Sequence, residues 1–116
     1  MPQQINRTEL LKNIIRMKPN YDEDISAVRK LSWDCNHPLV EIEVRDLLHA
    51  LRLFVDGKIL FQKLSKWANF LEIREDISLE KKNEELIRDV IFELANPELS
   101  ATPENIIAKN MLERLK

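Results

Sequence analysis

VRDLLHALRLFVDGKILFQKLSKWANFLEIRED, residues 44–76, holds two helical patterns joined across the only glycine of the chain, Gly57. In its first half Leu47, Leu48, Leu51, Phe54 and Val55 recur at the spacing that places side chains on one face of a helix. In its second half Phe61, Leu64, Trp67, Ala68 and Leu71 repeat the pattern. The short Asp56-Gly57-Lys58-Ile59 connection predicts an antiparallel helical hairpin whose two apolar faces meet. The expected fold is therefore all-α: a single-domain bundle of about five to six helices, residues 1–116, around that central hairpin.

Outward from the hairpin, Leu10, Leu11, Ile14 and Ile15 predict a first helix over residues 7–18, capped by Asn6 or Thr8 and ended by Pro19. Ile25, Val28 and Leu31 predict a short second helix over 25–31, with Asp22, Glu23 and Asp24 favoured at its start by the helix dipole. Residues 32–38, SWDCNHP, read as a loop, with Trp33 as a lid on the core. Leu39-Val40-Glu41-Ile42-Glu43 is the one candidate strand. Beyond the hairpin, Leu86, Ile87, Val90, Ile91 and Leu94 predict a helix starting near Leu79 and ended by Asn96-Pro97. Thr102-Pro103-Glu104 then predicts a last helix with Thr102 as N-cap, its inner side formed by Ile106, Ile107, Met111 and Leu115.

The chain has 116 residues, 44% hydrophobic and 33% charged, which suits one core and argues against disorder. Its single cysteine, Cys35, excludes an internal disulfide. With no signal-peptide pattern at the start, a reducing cytoplasm is expected. No apolar run is long enough to span a membrane.

The formal net charge of −2 is unevenly spread. Asp22, Glu23, Asp24, Asp34, Glu41 and Glu43 outnumber the bases of residues 21–43, and nine acids occupy residues 72–98. Duplex binding requires a Lys/Arg stripe, so direct contact with nucleic acid is not expected.

Chemistry finds little purchase. His49 shares the polar arc of its helix with Arg45, Asp46, Arg52 and Asp56, and reads as a solvated side chain. Cys35 and His37 lack the second Cys/His pair a zinc site needs. The serines lie in no nucleophile motif, and one glycine rules out a phosphate-binding loop. No enzyme activity, metal or cofactor is expected. The remaining constellation is acidic: Asp22, Glu23, Asp24 and Asp34, with Glu72, Glu75 and Asp76, as a docking surface that would steer a basic protein partner, with Tyr21 as an exposed aromatic anchor.

Leu31-Ser32-Trp33-Asp34, Pro38-Leu39-Val40-Glu41, Gly57, Trp67-Ala68-Asn69 with Arg74-Glu75-Asp76, and Phe92-Glu93-Leu94-Ala95-Asn96-Pro97-Glu98-Leu99 together resemble a family of small bacterial helical proteins, the immunity proteins of contact-dependent growth inhibition and related toxin systems. The resemblance covers most of residues 31–99. It implies a cytoplasmic protein that binds and neutralises a cognate antibacterial toxin domain, here a basic nuclease. The family pattern has Thr or Ser where Glu43 and Leu60 stand, which implies weaker capping of both hairpin helices. The alternative is a non-catalytic regulatory or adaptor module of a larger bacterial assembly. Oligomeric state is left open.

Overall fold

In the computed structural model, residues 7–18, 21–30, 38–72, 74, 76–99 and 102–116 are described. Within them the chain forms α1 (Arg7–Ile15), α2 (Tyr21–Arg29), β1 (Val40–Ile42), α3 (Val44–Val55), α4 (Phe61–Glu72), β2 (Ile77–Leu79), α5 (Glu84–Ala95) and α6 (Glu104–Leu115). Short 3₁₀ turns at Lys81–Asn83 and Pro97–Leu99 flank α5. The all-α expectation holds, with the addition of one small sheet.

The helix ends follow local chemistry. Gly57 has a φ of 77°, and the N–H groups of Gly57 and Lys58 donate to the carbonyls of Phe54 and Leu53. That is a Schellman ending, which needs a left-handed residue and so favours glycine. α1 ends the same way without a glycine: Met17 takes a φ of 50°, and Met17 and Lys18 donate to Ile14 and Asn13. The helix therefore stops before the expected Lys18. α2 begins earlier than expected, at Tyr21, so its three acids lie inside its first turn. At α6 it is Pro103, not Thr102, that occupies the N-cap, accepting at its carbonyl from Ile106 and Ile107.

The start of α3 corrects the expectation of weak capping. Asp46 Oδ2 accepts the Glu43 N–H at 2.9 Å, and Glu80 Oε1 accepts the Val44 N–H at 3.1 Å. The first turn of a helix leaves four N–H groups unsatisfied, and here one of them is met by a residue beyond β2.

β1 pairs with β2 in parallel, Val40 opposite Ile77 and Ile42 opposite Leu79. The strand candidate at 39–43 is thus a strand, while 77–79, expected to lead into a helix, is its partner. The helix after it begins only at Glu84. α3 and α4 together form the crossover between two parallel strands, a connection that antiparallel strands would not need.

The two helices of the quoted stretch touch through Phe54 and Phe61, whose rings meet edge-on with centroids 5.4 Å apart. They do not share their main faces. α4 packs most extensively on α5, α3 on α6, and α1 on α2. The hydrophobic residues buried in all six helices and both strands form one cluster around Trp67, Leu11, Ile14, Ile42, Leu47, Leu51, Leu64, Ile87 and Leu94. Val55 and Ile106, expected inside, are exposed, and Ala108 takes the inner position on α6.

Candidate functional site

The described acids of the expected docking surface occupy different places. Asp22, Glu23 and Asp24 line the first turn of α2, where Asp22 pairs with Lys63 at 2.7 Å. That hydrogen bond from Lys63 holds the lysine above its ordinary pKa. Lys63 lies near the start of α4 and Glu72 at its end, a separation of roughly 14 Å at the helical rise of about 1.5 Å per residue. Asp34 and Glu75, with Trp33, Cys35 and His37, lie outside the described residues.

Asp76 is a correction. It is 3% exposed, and Arg74 grips it twice, Nε to Oδ1 at 3.0 Å and Nη2 to Oδ2 at 2.7 Å. Arg7 of α1 approaches the same carboxylate at 3.9 Å, and the Asp76 carbonyl accepts from Leu39 and Val40. A carboxylate so enclosed fastens the start of β2 and offers no charge to a partner. Tyr21 is a second correction: it is 6% exposed, and its buried hydroxyl has no hydrogen-bond partner among the described residues. Burial, with Asp22 nearby, pushes the phenol above its ordinary pKa.

His49 is exposed on α3, beside Arg45, Asp46, Arg16 and Lys18. Burial raises the pKa of Asp46, against the Glu43 N–H that its carboxylate accepts. Since that oxygen is occupied as a helix cap and His49 makes no hydrogen bond among the described residues, the two do not form an oriented base pair of the kind general acid–base catalysis uses.

What the structure does assemble is a groove of about 510 Å³ between β2 and the α4/α5 pair, lined by Leu71, Ile77, Leu79, Ile91 and Phe92 and rimmed by Glu72, Arg74 and Arg88. Its volume is in the range of sites that hold small ligands or peptide side chains. Phe92 is 48% exposed at its edge. Glu85, Arg88, Asp89 and Phe92 share one face of α5, because they follow at three- and four-residue steps.

The arginines of this face are engaged. Arg88 binds Glu84 at 2.7 Å and Arg74 binds Asp76. Among the described residues Glu72 accepts only the amide of Asn96, at 3.3 Å, and Glu85 and Asp89 make no ion pair. The face is thus an apolar slot with net negative surroundings. Of the expected acids among the described residues, it contains Glu72 alone. Phe92 was the available signal, an aromatic on the polar side of an otherwise regular amphipathic helix.

No helix among the described residues is long and apolar enough to cross a membrane. No family model, curated protein or solved structure matches the chain.

Proposed function

We propose that this chain works by protein–protein interaction, as a cytoplasmic immunity protein that binds and neutralises a cognate antibacterial toxin domain through the β2/α4/α5 face. The observation that carries the reading is the half-exposed Phe92 at an apolar slot rimmed by Glu72, with Glu85 and Asp89 on the same face of α5 as Phe92. Interfaces concentrate their energy in a few aromatic anchors seated in apolar pockets. Acids around such an anchor favour a basic partner, raising the encounter rate and disfavouring acidic competitors. A basic nuclease domain has that chemistry. The motifs that resemble those of the immunity family add to this reading, and among the described residues no oriented residue pair offers a competing catalytic role.

The test is co-expression with the C-terminal domain of the protein encoded by the adjacent reading frame, the cognate toxin under this reading. Growth is restored and the two chains co-purify if the reading is right, and Phe92→Ala with Asp89→Lys lowers both effects. Growth arrest despite a folded, expressed chain overturns it.

A further inference from the structure

The hydrogen bonds of the parallel ladder determine which backbone groups of β2 face away from β1. Val40 N–H donates to Asp76 C=O, and Glu80 N–H donates to Ile42 C=O. With Val40 opposite Ile77 and Ile42 opposite Leu79, Ser78 turns its N–H and C=O towards β1. Ile77 and Leu79, one residue out of phase, turn theirs to the other side. Those four groups have no hydrogen-bond partner among the described residues. Unpaired edge groups of this kind template another strand.

The same register puts the side chains of Ile77 and Leu79 on one sheet face with Val40 and Ile42. Both also line the slot with Leu71, Ile91 and Phe92. The edge and the slot are therefore adjacent.

We propose that the outer edge of β2 accepts an extended segment of a partner protein as a third strand, apolar at every second residue and basic between. The claim rests on the protein-binding reading above and specifies how the partner is held. An extended chain is required because a helix satisfies its own backbone and would leave the N–H and C=O groups of Ile77 and Leu79 unpaired. Alternate apolar side chains enter the slot over Leu71, Ile91 and Phe92. The basic side chains between them project to the other sheet face, that of Ser78 and Glu41, within the negative field of Glu41, Glu72, Glu85 and Asp89, none of which makes an ion pair among the described residues. A second copy of this chain fits poorly: its β2 carries no basic residue and would bring Glu85 and Asp89 against their own counterparts.

The probe is the acetylated, amidated peptide Lys-Val-Lys-Ile-Lys-Val-Lys, titrated into the full isotope-labelled chain with amide hydrogen exchange read by NMR. Exchange at Ile77 and Leu79 should slow by about tenfold or more at saturation, with Glu41 unchanged. Of two peptides N-methylated at alternate residues, the one that loses its edge-facing N–H groups should bind about tenfold more weakly and the other should retain affinity. Replacing every Lys by Glu should abolish binding, and Phe92→Ala or Asp89→Lys should weaken it.

No binding up to about 1 mM, binding that leaves Ile77 and Leu79 unprotected, or equal loss with both methylated peptides overturns the proposal. Concentration-dependent protection of both amides without peptide overturns it in favour of self-pairing. Growth rescue with these amides unprotected sinks the strand-accepting edge and leaves toxin binding standing. Peptide protection without rescue does the reverse.

Discussion

The indole Nε1–H of Trp67 donates to the carbonyl of Ile14 at 2.7 Å, tying the middle of α4 to the last turn of α1. The same carbonyl accepts the N–H of Met17, so it keeps one partner when the indole is removed. Trp67→Phe then loses a hydrogen bond and some packing, about 1–2 kcal/mol. Trp67→Ala empties a fully buried site and costs about 3–5 kcal/mol. Urea denaturation of the two variants should separate them, and equal losses would show that the bond to Ile14 is not what distinguishes tryptophan here.

Breaking the Asp76–Arg74 pair should be costly because both partners are enclosed, the Arg74 side chain being 10% exposed. Asp76→Ala leaves a cation without its carboxylate and is expected to cost about 3–5 kcal/mol. Added salt should not shrink that difference, since buried pairs are screened far less than exposed ones. Asp22→Ala, which breaks an exposed pair with Lys63, should leave the denaturation midpoint nearly unmoved. A large effect at Asp22 with none at Asp76 would reverse the structural assignment.

Tyr21→Phe removes a buried hydroxyl with no hydrogen-bond partner among the described residues. Stability should stay level or rise by up to about 1 kcal/mol. Burial lifts the phenol above its ordinary value of 10.0, so the folded chain holds that proton longer than the unfolded one does. The wild type should therefore lose stability as pH rises beyond that value, while Tyr21→Phe loses less. Parallel curves for the two proteins would contradict the burial.

Asp46 titrates with the same sign. Its folded pKa is raised above 3.8, so its contribution is full below that value and is lost as pH rises through the folded pKa. Asp46→Asn keeps an oxygen for the Glu43 N–H and removes the charge. The variant should gain on the wild type through this acid range and hold a constant lead by neutral pH. Thermal melts at a series of pH values would check it, and a constant difference across the range would count against it.

Most helix faces were legible because they are periodic: Leu64, Trp67 and Leu71, or Ile87, Val90 and Leu94, announce their side by spacing alone. Gly57 marked its turn because only glycine adopts that backbone freely. Met17 adopts a left-handed conformation with no such mark, so α1 could not be ended correctly from its letters. Ile77–Leu79 was hidden because a three-residue strand has no period, and its partner lies beyond two helices. Asp76 looked like surface because acids usually are; only the fold reveals that Arg74 and Arg7 converge on it. The apolar slot is harder still, since Leu71, Leu79 and Phe92 are separate in sequence and become neighbours through the β2 and α5 packing.

The crossover carries a kinetic consequence. Aligning Val40 with Ile77 closes a loop around the whole of residues 41–76, an entropic cost met before the ladder returns any energy. α3 and α4 can form first from local contacts, and strand pairing then completes late along the route to the native state. Leu79→Ala should accordingly speed unfolding while leaving the refolding rate nearly unchanged, whereas Leu64→Ala should slow refolding. The sheet would be the last part of the molecule to assemble and the first to open.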